Sequence, residues 1–145
     1  MDHEELLSRE LASWAAFESA FGKVSPDRLE AEGVVPGWSV KDLVWHCAYW
    51  ASFAADTIEA RAAGDMSDPW DHDDAYWDVE NDRVANEGKA KSWDEVMSGT
   101  AAIRDRARKA LAAAPDEVAE GWFVEETIDH YDEHAAEIEA LAARG

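Results

Sequence analysis

His130 and His134 stand four residues apart in the run Thr127-Ile128-Asp129-His130-Tyr131-Asp132-Glu133-His134. On a helix that spacing leaves the two imidazoles about 40° apart on the wheel, so both can reach one point in space. A third histidine, His46, falls at the edge of the apolar stripe of an earlier segment, near Asp42, Trp50, Phe53 and Thr57. Two imidazoles from one helix and one from another can hold a divalent ion facially and leave positions open to water or substrate. The same histidines also fit a plainer role, each satisfying a backbone carbonyl at the margin of a core. Imidazoles accept Zn²⁺, Ni²⁺, Fe²⁺ and Cu²⁺, so spacing does not choose among ions. Binding needs neutral rings, and an ordinary imidazole protonates at about 6.5, so affinity is expected to fall below about pH 6.

Other groups near these histidines have two readings each. Asp42, one turn before His46, can accept from its imidazole N–H and so orient the ring toward a metal, or simply complete a helix cap. Glu126 and Glu137 flank His130 on the wheel and are candidates for a general base, or are solvated helix glutamates. Cys47 points about 100° away from His46, into the core, which disfavours it as a ligand or nucleophile. The run Asp71-His72-Asp73-Asp74 offers hard ligands but lacks the spacing and glycine of a calcium loop. Of the eight tryptophans, Trp14, Trp50 and Trp93 fit core positions. Trp38 and Trp122 stand at helix entries, and with Trp50 and Phe53 they are candidates to line a pocket. Trp45 is expected to point outward and mark a subunit contact.

Positioning three histidines requires long helices, and four stretches supply the period. The first covers about residues 3–22, with Leu6, Leu7, Leu11, Trp14, Phe17 and Phe21 at three- and four-residue steps. Gly22, Pro26, Gly33 and Pro36-Gly37 then mark a loop. Ser39 and Asp42 form a capping-box pattern that opens a second helix over about 39–62, with Val40, Leu43, Val44, Cys47, Trp50, Ala51, Ala54 and Ile58 inward. An acidic loop over about 64–74 leads to a short, weaker helix over about 75–88. Ser92 and Glu95 cap a third long helix that runs to about Ala113, where Pro115 stops it; Trp93, Val96, Met97, Ala101, Ile103, Ala107 and Leu111 face inward. The fourth spans about 122–143. These elements predict one all-α domain over residues 1–145, a four-helix bundle with a short extra helix between the second and third long helices.

Composition narrows the partners. The 145 residues carry 13 Lys plus Arg against 33 Asp plus Glu, a net charge of −20, with 47% hydrophobic residues. Such a field repels phosphate backbones and anionic lipid, so no nucleic-acid or membrane partner is expected. A single cysteine excludes an internal disulfide framework. The opening MDHEELLSRE lacks an export pattern, and a cytoplasmic location is expected.

The stretch Gly37-Trp38-Ser39-Val40-Lys41-Asp42-Leu43-Val44-Trp45-His46 resembles the G-W-S-x-K-D-x-x-x-H segment of the DinB/YfiT-like superfamily. The closing Thr127-x-x-His130-Tyr131-x-x-His134-x-x-x-Ile138 is similar to its last-helix H-x-x-x-H motif, and Asn81 and Ser92-Trp93-Asp94-Glu95-Val96 resemble its middle. The resemblance covers nearly the whole chain. It implies a four-helix bundle whose divalent-metal ligands are His46, His130 and His134, with Zn²⁺ or Ni²⁺ as the ion, and a low-molecular-weight thiol such as mycothiol or bacillithiol as cosubstrate. The mycothiol-dependent maleylpyruvate isomerase branch usually carries a further C-terminal domain. The ClbS-like branch shares the W-S-V-K-D opening but generally lacks the second histidine, so His134 favours a metal-binding member.

Three functions follow as expectations. The first is a metal-dependent enzyme, a thiol-dependent S-transferase or a related metal-assisted hydrolase acting on a small electrophile. The second is a non-catalytic small-molecule-binding or stress-protection protein with a structural metal. The third is an interaction module contacting its partner through Trp45 and the acidic loop. A homodimer is expected from Trp45 and from the pairing tendency of the resembled family.

Overall fold

Ser39 and Ser92 start two helices in the way their spacing predicts. Each side chain accepts from the backbone N–H three residues on, while Asp42 and Glu95 accept in return from the cap residue's own N–H. The computed structural model describes residues 2–114 and 116–144. Its helices are α1 (His3–Gly22), α2 (Val40–Ala62), α3 (Asp74–Lys89), α4 (Trp93–Ala113), α5 (Glu117–Phe123) and α6 (Asp129–Ala143). Between α5 and α6 the chain makes a π turn, Val124–Ile128, so the last long element is one interrupted helix. It starts earlier than the expected residue 122, because Asp116 caps α5 by accepting from the Ala119 N–H. Pro115, expected to stop α4, lies outside the described residues.

Helices α1, α2, α4 and the α5–α6 pair form the bundle: α2 runs along α4, and α1 along α6. Every position of the predicted α2 stripe is buried, and so are Lys41, Asp42, His46 and Thr57, because α2 is covered on several sides. One core cluster gathers Trp14, Phe17, Leu43, Val44, Tyr131 and Ile138. A second gathers Leu6, Ile58, Leu111, Phe123 and Ile128 toward the other end. Each such side chain contributes roughly 1.5–3 kcal/mol on burial.

Two inward assignments are corrected. Leu11 is exposed and Glu10 buried in its place. Glu10 turns inward because Arg104 donates twice to it at 2.8 Å and Arg108 once at 3.0 Å, clasping α1 to α4. Ala101 faces solvent, and Thr100 is the buried residue, its hydroxyl donating to the Val96 carbonyl.

The connecting helix α3 has 16 residues, longer than its weak apolar pattern suggests. Polar contacts hold it on α2. The Tyr49 hydroxyl donates to Glu80 at 2.6 Å, and Lys89 reaches Asp42 at 2.6 Å. The buried Lys41 ammonium donates to the Lys89 and Lys91 carbonyls at the α3 C-terminus, where a cation suits the helix dipole. Trp45 does not point outward. It packs against the first core cluster and lies between α3 and α4, where a Cβ at Gly88 or Gly99 would meet its side chain at 3.2 and 3.0 Å, a tight contact, with Lys91 over its face at 4.8 Å. The outward position on which the expected dimer contact rested is therefore not the one Trp45 takes. Among the described residues no helix is long and apolar enough to cross a membrane.

Trp45→Ala is accordingly expected to lower unfolding free energy by about 3 kcal/mol, as for large aromatic truncations in a packed site. Denaturant titration checks this, and an unchanged midpoint would contradict the wedge.

Candidate metal centre

The last helix carries two of the three histidines, and the π turn just before them sets their register. In that turn the Asp129 N–H reaches back five residues to the Val124 carbonyl. The His130 ring makes a similar reach: its Nδ1 lies 3.1 Å from the Glu125 carbonyl. A carbonyl only accepts, so Nδ1 carries the hydrogen and Nε2 keeps its lone pair. His134 is fixed in the same sense, with Nδ1 3.2 Å from Glu137 Oε1. His46 comes across from α2, its ring 5.6 Å from that of His130 and 5.1 Å from that of His134. One ligand nitrogen of each ring lies within 4.8 Å of the others. The three predicted ligands therefore converge.

Their protonation suits a cation. Burial, reinforced by His134 and His130, lowers the His46 pKa to about 3, and burial also depresses His130. Proton competition at His46 thus sets in well below the pH 6 expected for an ordinary imidazole. His46 Nδ1 is buried without a hydrogen-bond partner, an orphaned polar atom of the kind that marks a ligand position. Among the described residues the cluster includes no fourth histidine, cysteine or carboxylate. The donor set therefore fits a divalent ion with an open side.

The histidines sit in a cavity of about 500 Å³. Trp50, Trp70 and Trp77 line one part, and Glu125, Glu126, Asp129 and Glu133 another. Glu126 is 1% exposed, with Oε2 3.9 Å from His130 Nδ1. Burial, then Glu125 and Asp129, raise its pKa to about 8. A group that titrates near neutrality beside a reactive cavity can both give and take a proton.

The remaining candidates sort by contact. Asp42 does not orient His46: its Oδ2 accepts from the Ser39 N–H and from Lys89, so its place is the α2 cap and the α3 tie. Glu137 serves His134 rather than His130. Trp38 lies against the His46 ring at 4.9 Å. Phe53 and Trp122 pack on Trp70, at 5.2 and 5.4 Å, one layer back from the cavity. Cys47 is buried and its thiol pKa pushed up by that burial, in keeping with an inert core position. In the acidic run, Asp73 caps α3 and His72 stacks on Tyr76.

Trp70 and Trp77 were missed as lining residues. Trp70 belongs to the acidic loop and Trp77 to α3, and both rest on Trp50 at 5.6 Å. The available signal was a tryptophan in an otherwise polar loop, where an exposed indole would be costly.

Residues 4–142 match the family described as mycothiol maleylpyruvate isomerase N-terminal domain. The chain belongs to this family. Comparison with curated proteins and with solved structures gave no match. The mycothiol maleylpyruvate isomerase N-terminal domain is a DinB/YfiT-like domain, and the all-helical architecture here agrees with it.

The shifted groups give the metal-free protein a pH signature. His46 and His130 stay neutral in the fold while their unfolded counterparts protonate below 6.5, so stability is lost as pH falls from 6.5 toward 3. Glu126 keeps its proton in the fold where the unfolded chain has lost it, so its contribution is lost as pH rises from 4.5 to about 8. Chelator-treated Glu126→Gln is expected to melt higher than the parent at about pH 9 and equally at about pH 4. Equal Tm differences at both pH values would contradict a protonated Glu126.

Proposed function

We propose that this chain is a divalent-metal-dependent enzyme that adds a low-molecular-weight thiol, of the mycothiol or bacillithiol kind, to a small electrophile. The convergence of His46, His130 and His134 at a cavity with no fourth protein ligand among the described residues carries the reading. Zn²⁺ and Ni²⁺ both suit three imidazoles. A divalent ion bound there supplies a positive charge that lowers the pKa of a thiol or of water.

The chain's own residues do the rest. The Glu125 carbonyl and the Glu137 carboxylate fix the His130 and His134 rings with Nε2 free. Glu126, on the cavity lining beside His130, exchanges the proton: in its ionised form it takes the one that the nucleophile releases and then returns it to product. The indoles of Trp50, Trp70 and Trp77 exclude water and offer an apolar surface to the electrophile. With water in place of the thiol, the same arrangement would support hydrolysis. The family's name supports thiol chemistry.

Protein purified without chelator and without nickel resin is expected to hold one divalent ion per chain by elemental analysis. His46→Ala and His130→Ala should lose it while helical circular dichroism stays unchanged. Stoichiometric metal in either variant would refute the site. Glu126→Gln should retain metal and lose about a hundredfold or more in kcat with a thiol and a model electrophile. Turnover of an ester without thiol would shift the assignment to a hydrolase. Bound metal with no turnover on either would leave a non-catalytic binding protein.

A further inference from the structure

The cavity beside the histidines has two unlike walls. Trp50, Trp70 and Trp77 present indoles whose ring centres lie 5.0 to 5.6 Å apart. The π turn and α6 contribute the exposed Glu125, Asp129 and Glu133 and the buried Glu126, and no lysine or arginine lines the space. The nearest comparison is the other fully buried glutamate. Glu10 is as buried as Glu126, and two guanidinium groups satisfy it. Glu126 Oε2 is buried with no hydrogen-bond partner, and Asn81 Oδ1, also on the lining, is in the same state. A generally acidic surface explains solvated carboxylates, but not a buried one left without a donor.

Resting on the reading of this cavity as the substrate site, we infer that its ligand carries a positive charge on an apolar or aromatic body, an amine or guanidinium rather than a carboxylate. A ligand carboxylate is acceptor-only, so it would meet the orphaned Asn81 Oδ1 and the like charge of Glu125, Asp129 and Glu133. An ammonium or guanidinium supplies the missing donors to Glu126 and Asn81. It also finds indole faces, whose quadrupole attracts cations. A divalent ion at the histidines offsets part of the charge of Asp129 and Glu133, which adjoin His130 and His134 in sequence, so the preference is read with and without the ion. The volume of about 500 Å³ suits a small molecule.

The test uses three matched probes, benzylamine, benzyl alcohol and benzoate, with binding read from tryptophan fluorescence. Each is measured in metal-free and in Zn²⁺-loaded protein, at low and high salt, without any thiol. Benzylamine is expected to bind about tenfold or more tighter than benzyl alcohol, with benzoate weakest. The Asp129→Asn/Glu133→Gln double variant should lose about tenfold in affinity for the amine and none for the alcohol. Benzoate binding as tightly as benzylamine, an amine affinity unmoved in the double variant, or no saturation by any probe up to its solubility limit would each overturn the inference. Thiol transfer and metal content do not enter these readouts. A failed enzyme assay beside a retained amine preference would sink the functional reading alone, and thiol turnover beside a benzoate preference would sink this one alone.

Discussion

The wide turn at Val124–Ile128 governs the rest of the site. A π turn holds one residue more than an α turn, so all that follows is rotated by about 100° relative to a regular continuation. Glu126, Thr127 and Ile128 are buried in succession, a run that a regular helix would spread over about 200°. Ile128 thereby joins the core and Glu126 turns toward the histidines, while the Glu125 carbonyl comes within reach of His130 Nδ1. The Thr127 hydroxyl, donating to the Phe123 carbonyl, helps to hold the widened backbone. One local irregularity thus places His130, the carbonyl that orients its ring and the buried Glu126 carboxyl.

The site is under electrostatic tension that the bundle resolves elsewhere. Three imidazoles are held close together and largely out of water, which two of them answer by resisting protonation. A buried glutamate beside them answers by keeping its proton. His46 Nδ1, Glu126 Oε2 and Glu137 Oε2 are all left without partners. At the α1–α4 clasp, by contrast, a glutamate of the same burial has two arginines and a bidentate geometry. A fold able to satisfy Glu10 so fully leaves groups unsatisfied at the histidines, where the chemistry would use them.

Much of this was legible because it is local. Caps at Ser39 and Ser92, the α2 stripe, and histidines at the margins of two stripes are written in residues a few positions apart. What stayed hidden depends on distant partners. Leu11 looked inward by type, but the arginines of α4 draw Glu10 in instead. Trp45 looked outward on its own helix, yet Gly88 and Gly99 on two other helices open a slot for it. Asp42 had two readings, as a cap and as a partner for His46, and it is the cap and Lys89, 47 residues on, that hold it. The π turn has no pattern of its own, and the start expected at about residue 122 falls inside the element that Asp116 caps. Trp70 had no period to betray it, being in a loop.

The distribution of the few cations ties these observations together. With 13 Lys and Arg in a chain of net charge −20, every cation has a choice of acids. Those that span elements stitch the bundle: Arg104 and Arg108 to Glu10, Arg106 to Asp56 and Glu59, Lys23 to Glu139, and Lys89 to Asp42. Exposed pairs of this kind contribute little each, and the buried ones matter because losing a partner strands a charge. None of these cations turns toward the cavity. The wall formed by Glu125, Asp129 and Glu133 is therefore not balanced by the protein itself. Its negative potential can be offset only by what enters: an ion at the histidines, a charged ligand, or dissolved salt. A bundle that assigns its scarce positive charge to holding helices together leaves the recognition of positive charge to its mouth.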